Sequence, residues 1–248
     1  MHTIFKLVPL TAAIALAACG GGGDKAADAA CGQLEANQIC VKIGSGAPKT
    51  GGIAHLGKDN ENGAQLAVNE INAAGGVKIG DKVAKFALVG EDDAGDPKQG
   101  PVVAQKLVDA KVVGVVGHLN SGVSIPANAV YAKAGLVQIS PSSTSPDYTI
   151  KGNKTPKGSV SSYRVVATDA QQGPALGKYM LGKNAKTVAV LDDATQYGKG
   201  LADQVAKTME GAGAKVVARE AATDKTTDFK AVLTKIKGLN PDYVFWGG

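Results

Sequence analysis

From residue 41 to residue 246 the chain alternates short apolar runs of strand length with longer stretches of helical periodicity. That alternation constrains the fold more than any other feature. Residues 41–44 read as a strand, followed by a glycine-rich loop through Gly57. The next segment sets Ala64, Ala67, Val68, Ile71 and Ala74 on one helical stripe that stops at Gly75-Gly76. Further strands are expected at 86–89, 112–116, 136–139, 163–166, 188–191, 216–218 and 243–246. Helices are expected over 101–110, 127–134, the stretch ending at Leu181, 201–209, and a last one carrying Phe229, Val232, Leu233 and Ile236. The run 112–116 is nearly unbroken in apolar residues, the pattern of a parallel strand buried on both faces. Strands joined through helix-length crossovers call for an α/β protein with parallel sheets. The alternation fails over 140–161, a stretch rich in Ser, Thr, Pro, Gly and Lys that reads as a long functional loop plus a crossing. Two doubly wound lobes are therefore expected, 40–161 and 162–248. Because ligand loops follow the carboxyl ends of strands, a chain stopping at Trp246-Gly247-Gly248 is expected to be incomplete at its C-terminus.

The beginning of the chain reads as an address. Lys6 is a minimal basic region, and residues 7–18 are apolar, too short a stretch to span a bilayer as a mature helix and suited to a secretory signal. It ends Leu16-Ala17-Ala18-Cys19-Gly20, which resembles a bacterial lipobox and implies lipidation of Cys19. An ordinary peptidase site with Cys19 incidental is the alternative. Residues 19–39 then form a flexible tether, glycine-rich at Gly20 to Gly23. Export places Cys31 and Cys40 in an oxidising compartment. With no His or third Cys nearby, a metal site is disfavoured and a local disulfide is the expectation. Closing so small a loop is worth on the order of 2–3 kcal/mol.

Charge and motif content exclude several classes. The net charge of +5 comes from lysines scattered along the chain, with Arg164 and Arg219 the two arginines. Clustered arginines with interleaved aromatics, the footprint of nucleic-acid binding, are absent. The three histidines are His2, His55 and His118, and none forms an H-x-x-H or H-E-x-x-H pair. No G-x-S-x-G elbow precedes a helix. Gly44-x-Gly46 lacks the third glycine of a dinucleotide fingerprint, and Gly177 to Lys183 fits a phosphate loop only at what should be a helix end. Glu91, Asp92, Asp93 and Asp96 read as a turn in which Asp96 caps a helix beside Pro97, rather than as a cation site. No cofactor, no metal and no catalytic residue is expected.

A binding constellation remains. Leu119-Asn120-Ser121-Gly122 follows one strand and leads towards a helix, whose free N–H groups suit an anion, with the Ser121 hydroxyl beside them. Ser140 to Pro146 follows the next strand, at what should be the same sheet edge. Two hydroxyl-rich loops suit a small carboxylate-bearing ligand better than a phosphate, which would want Lys or Arg. The plainer account of both is turns and caps.

Several ordered motifs carry a resemblance: Gly51-Gly52-Ile53-Ala54-His55-Leu56-Gly57 with Asn62-Gly63-Ala64, Glu91-Asp92-Asp93 with Asp96-Pro97, Gly117-His118-Leu119-x-Ser121, Ile139 to Thr144, and Gln196-Tyr197-Gly198-x-Gly200. Together, from about Val41 to Gly248, the chain resembles the periplasmic branched-chain amino-acid-binding proteins of ABC importers. The resemblance implies a type I periplasmic-binding-protein fold, two α/β lobes closing on a ligand about a three-stranded hinge. It also implies a non-catalytic periplasmic receptor that hands Leu, Ile or Val to an inner-membrane permease; a monomer is expected, and the lipobox implies that it is lipid-anchored. Residue by residue, Ser121 matches the position holding the ligand carboxylate through its hydroxyl and N–H. Ser142 matches a main-chain acceptor for the ammonium. Thr144 matches a threonine giving its N–H to the carboxylate and its hydroxyl to the ammonium. Tyr197 matches an aromatic of the second lobe that covers the ligand, and Ser143 and Gly122 flank the site. Leu56 stands where well-known members place Tyr or Trp against the side-chain pocket. Gly95 and Asn120 stand where some members join two loops by a disulfide. A same-fold receptor for another small amino acid or an amide, and an exported α/β enzyme, are the rival readings.

Overall fold

The computed structural model describes residues 29–150 and 152–248. The signal read over 1–18, Cys19 and the tether up to residue 28 lie outside the described residues. After a 3₁₀ turn at Ala29–Cys31, the first lobe runs β1 (Gln38–Ala47), α1 (Ala54–Ala73), β2 (Val77–Ile79), β3 (Lys82–Asp92), α2 (Gln99–Asp109), β4 (Gly114–Gly117), α3 (Ser121–Lys133), β5 (Val137–Ser140), the single turn α4 (Asp147–Ile150) and β6 (Ser162–Arg164). Its sheet has the order β2-β3-β1-β4-β5-β6. Every pairing is parallel except β2 with β3. The winding reverses beside β1, with β3 on one side and β4 on the other, which opens a crevice past the carboxyl ends of β1 and β4.

The second lobe comprises α5 (Asp169–Gly182), β7 (Thr187–Asp192), α6 (Gln196–Gly211), β8 (Lys215–Ala221), α7 (Lys230–Leu239) and β9 (Tyr243–Gly247). Its parallel sheet has the order β8-β7-β9, again reversing beside the first strand. Among the described residues, no helix is long and apolar enough to cross a membrane.

Each lobe has its own core. In the first, Val103, Ala104 and Leu107 of α2 and Ala127 and Tyr131 of α3 pack on Val112 and Val115. In the second, Met180 of α5 and Ala202, Val205 and Met209 of α6 pack on Val188 and Val190 of β7. Burying an aliphatic side chain of this size stabilises by about 1.5–3 kcal/mol. The helices α5 and α6 approach closely because Gly173 has no side chain. A Cβ there would collide with the Gln204 Cβ.

The structure departs from the sequence expectations at definable places. The lobe boundary falls later than 161/162. Ser162 to Arg164 pair in register with Gln138 to Ser140, so β6 is the sixth strand of the first sheet. The compositional break marks the loop before that strand, and the crossing is 165–168. β2 was not expected; it forms a tight hairpin with β3 around Gly80-Asp81. α1 starts at Ala54 rather than after Gly57. Gly57 is buried, and a Cβ on it would collide with the Pro48 carbonyl, so it permits close packing rather than breaking the helix. The stripe on α1 buries Val68 but leaves Ile71 38% exposed. The run 112–116 is not buried on both faces throughout: the strand begins only at Gly114, Val112 and Val115 are interior, and Val113 is 59% exposed. Cys31 and Cys40 form a disulfide with Cα atoms 5.6 Å apart, which fastens the segment before β1 to that strand; β1 itself begins at Gln38, within the span read as a tether.

Candidate functional site

Three strand ends converge. Past β1, the Lys49 N–H and Thr50 hydroxyl donate to the two carboxylate oxygens of Asp92 at 2.7 Å each, fixing the loop that leads into α1. Past β4, His118 and Leu119 lead to Asn120, whose carbonyl accepts from Val123 and Ser124 as α3 begins. Ser121 is therefore the first residue of a helix and buried, not part of an extended loop. The first N–H groups of a helix have no partner within it.

Past β5, the serines form a ladder. The Ser140 hydroxyl donates to the His118 carbonyl at 2.6 Å and accepts from the N–H groups of Ser142 and Ser143. Ser142 Oγ donates to the Leu119 carbonyl at 3.0 Å and accepts from Asn60 Nδ2 at 3.2 Å. Ser143 Oγ also bonds the Leu119 carbonyl, at 3.1 Å, and lies 2.5 Å from Ser124 Oγ. The Ser145 N–H donates to Ser121 Oγ at 3.2 Å, joining the two loops directly.

Beneath the ladder sits a fully buried chain. His118 Nδ1 lies 2.6 Å from Asp93 Oδ2 and Nε2 lies 3.0 Å from the Tyr131 hydroxyl, with all three side chains 0% exposed. Asp93 Oδ1 also accepts from the Gly95 N–H at 2.9 Å. Burial, reinforced by the Asp93 charge, pushes the Tyr131 phenol above its ordinary range. Sealed from solvent and with Nε2 committed to a phenol, this histidine positions the backbone of residues 118–119. The acidic turn thus has a buried anchor in Asp93, while Asp96 accepts from Lys98 one turn ahead of α2. Among the described residues, no group of three or more His, Cys, Asp or Glu is arranged to hold a metal ion.

The second lobe contributes the start of α6. Asp193 Oδ1 accepts from the N–H and hydroxyl of Thr195, and Thr195 Oγ1 accepts from the Gly198 N–H at 3.0 Å. This N-cap presents Tyr197 to the first lobe. Thr195→Ala should cost about 1 kcal/mol of stability, read as a lowered urea midpoint with unchanged slope. An unchanged midpoint would show that the cap contributes nothing.

A cavity of about 300 Å³ is lined by Leu56, Asp59, Asn60, Leu119, Asn120, Ser121, Ser142, Thr144 and Tyr197. That is the lower end of the about 300–1,000 Å³ usual for small-molecule sites. An adjoining cavity of about 250 Å³ shares Asn120, Ser121 and Tyr197 and adds Gly122, Gln196 and Thr195. Of the residues singled out in the sequence, Leu56, Ser121, Ser142, Thr144 and Tyr197 thus meet at one cavity. Gly122 lies at its neighbour, and Ser143 is enclosed behind the ladder. Sequence reasoning missed Asp59 and Asn60. Their signal was their spacing of three and four residues from Leu56, which places all three on one helical face.

Two α/β lobes with a polar-ended cavity between them define a two-lobed, small-molecule-binding architecture. The sequence matches the periplasmic-binding-protein family over residues 40–248, and the chain belongs to that family. It is 39% identical over 248 residues to Leu/Ile/Val-binding protein homolog 1 of Brucella abortus, covering 99% of this chain and 59% of that one. It is 39% identical over 209 residues to the leucine-, isoleucine-, valine-, threonine- and alanine-binding protein of Pseudomonas aeruginosa, covering 84% and 53%. Among solved structures, it is similar to the branched-chain amino acid transporter substrate-binding protein LivJ from Streptococcus pneumoniae in complex with isoleucine. The identity there is 35% and the TM-score 0.71, over 84% of this chain and 57% of that one. The chain spans between half and three fifths of the length of these relatives.

Proposed function

We propose that the chain belongs to an extracytoplasmic receptor that captures branched-chain L-amino acids between its lobes and delivers them to an ABC permease. In this reading it is a monomer in the periplasm, anchored through a lipid on Cys19, and it performs no catalysis. The observation that carries the reading is the cavity itself, in which Ser121 and Thr144 offer donors, the Ser142 loop offers acceptors, and Leu56 and Leu119 supply apolar wall. The carboxylate takes the start of α3 and the Thr144 N–H. The ammonium takes the Ser142 carbonyl and the Thr144 hydroxyl, and Tyr197 covers the bound molecule. The names of the relatives support the same class of solute. A second reading, another small amino acid or an amide, is favoured by Asp59 and Asn60, which put polar groups beside Leu56.

A thermal-shift panel separates the two. A solute at 100 times its Kd adds about 2.7 kcal/mol, so leucine, isoleucine and valine should raise the melting temperature by several degrees. Stabilisation by threonine or glutamine with none by leucine would overturn the branched-chain assignment in favour of the second reading.

A further inference from the structure

The loop 143–145 is gripped from the crossing between the lobes. Arg164, the last residue of β6, donates to the Ser143 carbonyl at 2.6 Å, the Ser145 carbonyl at 2.7 Å and the Thr149 hydroxyl at 2.8 Å. Its guanidinium lies 5.4 Å from the centre of the Tyr148 ring, which fixes its plane. Five residues on, the Asp169 N–H donates to the Thr144 carbonyl at 2.9 Å. Three consecutive carbonyls of a loop that meets the cavity are thus each held by the segment entering the second lobe.

The Asp169 side chain is the unusual member. It is 0% exposed, and neither carboxylate oxygen makes a hydrogen bond among the described residues. The Thr144 hydroxyl is likewise buried and unbonded. The two lie close enough to act on one another. Burial pushes the Asp169 carboxyl up from its ordinary value, opposed by the Thr144 hydroxyl and by the Arg164 charge. A methyl in place of the Gly200 hydrogen would lie 3.7 Å from Asp169 Oδ2, so α6 passes the carboxylate one turn after Tyr197. Asp169 therefore stands behind Thr144, between the loop of one lobe and the helix of the other, and does not itself line the cavity.

We propose that Asp169 is a positioning residue of the binding site. Its carboxylate takes the Thr144 O–H as a donor, which turns the lone pairs of that oxygen towards the cavity and makes Thr144 an acceptor for the solute's ammonium. Arg164 locks the carbonyls on either side. The inference rests on the amino-acid reading of the cavity.

The consequence for pH has opposite signs for binding and folding. A carboxyl raised in the folded state favours folding at low pH, and that contribution is lost as the pH rises through the raised value. Binding needs the ionised form, so affinity should fall as the pH drops through the raised value. Arg164 is the charged side chain acting on Asp169 among the described residues. Asp59 lines the cavity from α1, so Asp59→Asn is the control and should keep the acid-side fall whatever its own effect on affinity.

The test is a double-mutant cycle of Asp169→Asn and Thr144→Val, read by leucine titration and by urea unfolding. Asp169→Asn should weaken leucine binding about tenfold, or about 1.4 kcal/mol, and remove the acid-side fall. It should cost no further affinity in the Thr144→Val background. In unfolding, which needs no solute, the two substitutions should be non-additive. Wild-type affinity and pH profile in Asp169→Asn, or additivity in unfolding, would overturn the proposal. If leucine fails to bind the unaltered chain, the branched-chain reading fails and the unfolding cycle alone decides the role of Asp169.

Discussion

Replacing His118 with leucine should destabilise the fold by about 3–5 kcal/mol, the usual cost of removing one partner of a buried ionic or hydrogen-bonded pair. The Asp93 carboxylate would keep the Gly95 N–H and lose its 2.6 Å contact, and the Tyr131 hydroxyl would lose its 3.0 Å contact. Neither group can recover with water, because all three side chains are sealed. Tyr131→Phe removes a single hydrogen bond and should cost only about 1 kcal/mol. Urea unfolding followed by circular dichroism measures both. A His118→Leu cost below that of Tyr131→Phe would show that the buried chain is not what holds residues 118–119.

Ser121→Ala should weaken leucine binding by about 1.5–3 kcal/mol, the scale of a hydrogen bond to a charged group. Calorimetry that finds unchanged affinity would remove Ser121 from the proposed carboxylate site. From the sequence alone, a loop position would leave stability untouched. The structure changes that expectation. Ser121 Oγ accepts from the Ser145 N–H, and both residues are buried, so the alanine variant strands a donor and should also lose about 1–3 kcal/mol of folding stability. Binding must accordingly be compared where both proteins are fully folded.

The positions that misled sequence reasoning share a cause. Strand and helix alternation is a local signal, and it located both lobes and most of their elements. Gly57 read as a breaker because glycine is destabilising in helices. Its actual reason, the nearness of the Pro48 carbonyl, exists only after α1 docks on β1. The start of α3 was placed late because Ser-Gly-Val-Ser followed by Pro126 looks like a loop, although Asn120 at its entrance is a good N-cap residue type. β2 is three residues long, too short for periodicity, and its Gly80-Asp81 turn was the available cue. At the site, the serine-rich loops were legible because each follows a strand. The contacts of Asp93 with His118 and of Thr144 with Asp169 each span 25 residues, so only the folded topology brings those pairs together.

The crossing between the lobes is short. The Val165 N–H still donates to the Ser140 carbonyl, and Thr168 already forms a capping box with Gln171 at the start of α5. The free passage is thus Val166 and Ala167, which can span about 7 Å when fully extended. On so short a leash the start of α5 cannot drift away from the first sheet. It can only swivel, and every encounter between Tyr197 and the cavity happens at a high effective concentration rather than after a diffusive search. In the proposed receptor, capture would then be a local event, its tempo set by rotation about a few backbone bonds.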